Sequence, residues 1–124
     1  MKNYLLVYSL LFIFLCSACS ENKVSFQIEN TSSEQIDSIH IGLSGFNYKK
    51  PTEKLTLINS NEKKRLDITF ENVPKVDGNY QITVFSGGEN KKQSFGYYSN
   101  GSPLSKEFNI TIDNDTIIFK EIPH

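Results

Sequence analysis

Val24-Ser25-Phe26-Gln27-Ile28-Glu29 alternates apolar and polar side chains without a break. A period of two puts Val24, Phe26 and Ile28 on one face of an extended chain, as in a strand with one buried side. The same reading fits Ile39, Ile41 and Leu43 in the run Gln35 to Leu43, where Ile36 breaks the pattern and predicts a strand start or bulge near Asp37. It fits Leu66, Ile68 and Phe70, then Tyr80, Ile82 and Val84, then Phe108, Ile110 and Ile112. Leu55 and Leu57 predict a short strand, and Thr116 to Lys120 the last one. In the run Lys91 to Tyr98, alternation places Phe95 and Tyr97 on one face and Ser94, Gly96 and Tyr98 on the other.

Between these runs stand clusters of turn residues: Asn30-Thr31-Ser32-Ser33, Asn59-Ser60-Asn61, Asp77-Gly78, Ser86-Gly87-Gly88-Glu89-Asn90, Asn100-Gly101-Ser102-Pro103 and Asp113-Asn114-Asp115. Turn signals every ~8–12 residues, with no helical periodicity after the first residues, predict an all-β fold, an antiparallel β-sandwich of about 7–8 short strands over residues 24–122.

The chain opens differently. Lys2 precedes the apolar run Tyr4 to Ala18, shorter than the roughly 20 residues a spanning helix needs. A basic start, a compact apolar segment and small residues before a cut are the parts of a secretory signal helix that is cleaved away. Its end, Cys16-Ser17-Ala18-Cys19, resembles the bacterial lipoprotein box, with Cys16 where that box usually has leucine. The resemblance implies residues 1–18 as a lipoprotein signal peptide and Cys19 as the residue that receives a diacylglyceryl group, with its amine acylated after cleavage. It also implies an address in the bacterial cell envelope, the outer membrane above all, with the membrane bound through the lipid anchor. About two acyl chains, at ~0.8 kcal/mol per buried methylene, suffice for stable anchoring. Residues 19–23 then form the lipidated cysteine and a tether that keeps the domain within about 15 Å of the membrane, at ~3.3–3.6 Å per extended residue.

Both cysteines of the chain fall in this segment, so the folded domain has no disulfide and no thiolate ligand. Of the 13 basic residues only Lys2 leaves with the leader, so 14 acidic residues oppose 12 basic ones. The signs are interspersed along the chain, and Glu62-Lys63-Lys64-Arg65 is the sole local basic group, flanked by acids. No nucleic-acid footprint results.

His40 and His124 are the only histidines, and neither stands in a context that suggests a triad. No carboxylate pair is distinguished as a glycosidase pair. Asp113-Asn114-Asp115 lacks the spacing and glycine of a calcium loop. No catalytic residue, metal site or cofactor is therefore expected, and the chain reads as a non-enzyme. Four Asn-x-Ser/Thr sequons start at Asn30, Asn100, Asn109 and Asn114, which turn composition explains in a chain with a bacterial leader.

What remains is aromatic. Phe46 and Tyr48 stand in the loop Gly45 to Glu53, Tyr98 lies beside Asn100-Gly101, and alternation sets Phe85 opposite Tyr80, Ile82 and Val84. These four form the candidate binding surface, since exposed aromatics pair a large apolar body with, for tyrosine, a polar tip. The expected function is a binding or structural domain, an accessory subunit that contacts an envelope protein partner. The alternative is a carbohydrate-binding module that uses the same aromatics on a glycan.

Phe70-Glu71-Asn72-Val73-Pro74 followed by Asp77-Gly78-Asn79-Tyr80-Gln81-Ile82-Thr83-Val84 is similar to a strand–turn–strand of small transthyretin-like and immunoglobulin-like bacterial domains, where a Gly-x-Tyr pair opens a central strand. The chain after Cys19 also resembles small lipoproteins of Bacteroidetes-type bacteria, notably at Phe95 to Gly101 and Asn114 to Ile117, a group that brings no assigned activity. Asp37-Ser38-Ile39 and Asp115-Thr116-Ile117 resemble the O-glycosylation triplet of envelope proteins from such bacteria.

Overall fold

A computed structural model describes residues 22–44 and 52–124. Their strands are β1 (Lys23–Asn30), β2 (Ile36–Leu43), β3 (Thr52–Ile58), β4 (Lys63–Thr69), β5 (Gly78–Ser86), β6 (Glu89–Ser99), β7 (Ser102–Pro103), β8 (Ser105–Ile112) and β9 (Ile117–Pro123). They form two sheets, in the orders β4-β1-β8-β9 and β3-β2-β5-β6-β7. The fold is the expected all-β sandwich, with the two-residue β7 added.

One pairing departs from a purely antiparallel expectation. β1 runs parallel to β8, with Phe26 opposite Phe108 and Ile28 opposite Ile110. The two strands are far apart in sequence, so no short turn forces them antiparallel. β1 and β2 lie in opposite sheets, whereas strands A and B of an immunoglobulin domain share one.

The alternating residues meet between the sheets. Val24, Phe26, Ile28, Ile39, Ile41, Tyr80 and Ile82 are fully buried, and Phe108 and Ile110 nearly so. The core divides along its length. Towards the N-terminal end of β1 it is aromatic: Phe26, Tyr80 and Phe108 lie within 5.2–5.7 Å of one another, centroid to centroid, and Phe70 packs edge-on against Tyr98 at 5.5 Å. Towards the other end it is aliphatic, built from Ile28, Ile36, Ile58, Val84, Ile112 and Ile117. β3 and β4 close one margin of the sandwich. At the opposite margin Phe95 of β6 stacks on Phe119 of β9 at 4.4 Å and 11°.

β6 breaks the alternation. Tyr80 pairs with Phe95 and Gly78 with Tyr98, so two residues of β6 oppose Asn79 alone. This β-bulge centres on Gly96 at φ 58°, the left-handed region that glycine adopts without steric cost. The Asn79 amide donates to the Gly96 carbonyl at 2.6 Å and holds the bulge. An added Cβ at Gly96 would come within 2.6 Å of the Phe108 ring.

Gly96→Ala should lower unfolding stability by about 2–5 kcal/mol, combining the left-handed penalty with overpacking. Gly87, also at positive φ, faces open space, so Gly87→Ala should cost about 1–2 kcal/mol from the backbone alone. Urea denaturation of the two variants measures the difference.

Candidate functional site

The structure scatters the candidate aromatics. Cys19, Phe46 and Tyr48 lie outside the described residues. Tyr98 is fully buried, which corrects its assignment to a binding surface. The Gly96 bulge shifts the phase of β6 by one residue, so Phe95 and Tyr98 both point inward and Tyr97, 43% exposed, points out. The Tyr98 hydroxyl donates to the Ser44 carbonyl at 2.8 Å. Its ring takes the space a side chain at Gly78 would fill, with Cζ 2.6 Å from an added Cβ. An isolated glycine inside a strand pattern is the signal that foretells this bulge. Phe85 is half-buried on the outer face of its sheet, tilted against the His40 ring at 5.0 Å. Phe85 and Tyr98 therefore share no surface. Of the two O-glycosylation-like triplets, Ser38 is half-buried in β2, hydrogen-bonded between β3 and β5, while Thr116 is exposed in the β8–β9 turn.

The strand directions sort the loops into two ends. Asn22 accepts a backbone hydrogen bond from Phe70 at 2.6 Å. Beside it lie the β4–β5 connection, the β6–β7 turn and the C-terminal end of β9, because Lys23 pairs with Thr69, Gly78 with Tyr98 and Ser105 with Pro123. At the other end are residues 31–35, the β3–β4 turn and the β5–β6 and β8–β9 hairpins. The eight residues of β1 set the two ends about 26 Å apart at ~3.3 Å per residue.

At the Asn22 end, Asp77 ties two connections together. Its carboxylate accepts the Tyr97 hydroxyl at 2.7 Å, the Asn100 amide at 2.8 Å and the Ser99 hydroxyl at 2.9 Å. These bonds, the Tyr97 bond foremost, hold the Asp77 carboxyl below its ordinary value, and the same bond raises the Tyr97 phenol.

The far end holds a cleft of about 400 Å³ between the two hairpins and the β1–β2 loop. Its floor is the aliphatic end of the core: Ile36, Val84, Ile112 and Ile117. Ser32, Ser33, Glu34, Asn90 and Lys91 are on its rim, with Asn114 opposite. Across the mouth Lys91 Nζ donates to the Asn114 carbonyl at 3.0 Å, and the Ser33 amide donates to Asn114 Oδ1 at 3.0 Å. An apolar floor with a polar rim is the chemistry of a binding site. Among the described residues no aromatic side chain lines it. In the sequence each wall reads as a turn cluster, and only the pairing order brings the three together.

No family model and no curated protein matches the chain. Among solved structures, the membrane-binding domain of pneumolysin is similar at 9% identity and a TM-score of 0.38, over 82% of this chain and 97% of that one. A likeness of that degree supports no functional argument.

A carboxylate held below its ordinary value stabilises the fold above that value and loses this contribution as pH falls through the folded one. Wild-type stability should therefore drop below pH 3.8, the ordinary value for Asp77, more steeply than that of Asp77→Asn. Thermal melts of both proteins between neutral pH and pH 2.5 give the comparison, and parallel curves would contradict it.

Proposed function

We propose that this chain is a lipid-anchored binding domain of the bacterial envelope, attached through Cys19 and working by contact with another envelope protein rather than by catalysis. The sequence supports the anchor through its leader and through Cys16-Ser17-Ala18-Cys19. The likeness of Phe70 to Val84 to transthyretin-like domains belongs to the same reading. Gly78-Asn79-Tyr80 opens β5, the middle strand of the five-stranded sheet.

The observation that carries the proposal is the separation of the two ends. The chain enters the sandwich at Asn22, a few residues after Cys19, and the cleft opens at the opposite end. A domain tethered in this way presents its cleft away from the membrane surface, where a partner can reach it. The carbohydrate reading has less support, because Tyr98 is in the core and the described cleft lining is an aliphatic floor with a hydroxyl, amide and charged rim.

Cys19→Ser should abolish incorporation of labelled fatty acid and release the domain from the membrane fraction or leave the precursor uncut. Acylation that persists in that variant contradicts the anchor. Mild cross-linking of the intact protein at native expression should recover an envelope protein, and recovery of the domain alone would count against the interaction.

A further inference from the structure

Charges that alternate in sign along the sequence are sorted by the fold. Glu34, Asp37, Glu89, Asp113 and Asp115 all come to the cleft end, and none of them forms an ion pair among the described residues. Of the nearby cations, Lys63 pairs with Glu29 at 3.5 Å and Lys64 with Glu62 at 3.7 Å, while Lys92 is exposed on the outer side of the hairpin. Lys91 spans the cleft mouth to Asn114. The Asn22 end is mixed, with Lys23, Lys75 and Lys106 beside Glu71, Asp77 and Glu121.

We infer that the cleft docks a basic, aliphatic segment of a protein partner. An aliphatic side chain would rest on Ile36, Val84, Ile112 and Ile117, and lysine or arginine on either side of it would meet Glu34, Glu89 and Asp113 on the rim. The floor favours a hydrocarbon side chain, which a free polyamine lacks, and the excess of Glu34, Glu89 and Asp113 over the one rim cation, Lys91, disfavours an acidic segment. Steering by this end speeds encounter and weakens with salt. Asn90 on the rim, whose side chain is exposed, is placed to hydrogen-bond the segment's backbone.

This rests on the protein-contact reading above, and the experiment keeps the two apart. Fluorescent peptides alternating lysine with isoleucine, or glutamate with isoleucine, are titrated against the full chain in detergent micelles, with empty micelles as the blank and spermine as competitor. The lysine peptide should bind saturably, about tenfold more weakly to the Glu34→Lys, Glu89→Lys double variant and unchanged to Glu71→Lys at the other end. A diazirine on the isoleucine should cross-link to Val84, Ile112 or Ile117. Equal binding of the glutamate peptide, displacement by spermine alone, absence of binding, or cross-links elsewhere would overturn the inference. An envelope partner cross-linked to the outer face at Gln27 instead would overturn it and leave the protein-contact reading in place. A peptide seated in the cleft with no partner recovered from the membrane would overturn that reading and leave the cleft chemistry standing.

Discussion

The side-chain amide of Asn30 is the contact on which the cleft end depends. Asn30 is fully buried at the end of β1. Its Nδ2 donates to the Glu34 carbonyl at 2.8 Å and to the Ile58 carbonyl at 3.0 Å, and its Oδ1 accepts the Ser32 amide at 3.0 Å and the Ser32 hydroxyl at 2.6 Å. All four hydrogen-bonding positions of the amide are filled. The Asn30 backbone adds bonds to the β3–β4 turn, donating to Glu62 at 3.0 Å and accepting from Asn61 at 2.7 Å. One side chain thus joins the two sheets, through β1 and β3, and shapes residues 31–35, a wall of the cleft. A buried polar group is tolerated when it is satisfied this fully, and is costly when it is not.

The opposite margin is held by other means. β9 is an edge strand, and β6 is flanked only by the two-residue β7 at Tyr98 and Ser99, so the rest of it is an edge as well; edges invite pairing with foreign strands. The inward-facing positions here carry charge: Lys91 opposite Val84 on β6, and Glu121 opposite Phe108 on β9, bonded to the Ser105 hydroxyl. Inward charges of this kind protect an edge from addition of another strand. Between them the Phe95–Phe119 stack bridges the sheets. The Tyr80 hydroxyl is buried without a hydrogen-bond partner among the described residues. Burial, then the nearby Glu121 and Tyr98, pushes its ionisation far up.

Much of this was legible in the sequence wherever side-chain period alone decides the outcome. Val24, Phe26, Ile28, Ile39, Ile41, Leu43, Ile82 and Ile110 are buried where alternation put them. It failed where a backbone irregularity resets the period. Gly96 moved Tyr98 inside and Tyr97 out, and Leu57, at φ 51°, is exposed while Ile58 is buried in its place. It was also blind to relations created by pairing. Asn30 reads as the first residue of a turn cluster, and nothing local reveals that its amide will reach Ile58. The parallel pairing of β1 with β8 and the hairpin order bring Glu34, Glu89 and Asp113 to one end, although no run of acids announces it. Topology does this sorting, and period carries no topology.

The two ends therefore have different structural bases: an aromatic core tied by Asp77 and Tyr98 where the chain enters, and an aliphatic core held around Asn30 where the cleft opens. The most direct measurement is native-state hydrogen exchange on wild type and Asn30→Leu, which keeps the side chain's size and removes its hydrogen bonds. The expected result is a loss of about 1–3 kcal/mol of protection at Ser32, whose buried amide loses its acceptor, Asn30 Oδ1. Unchanged protection at that amide would contradict the role given to Asn30.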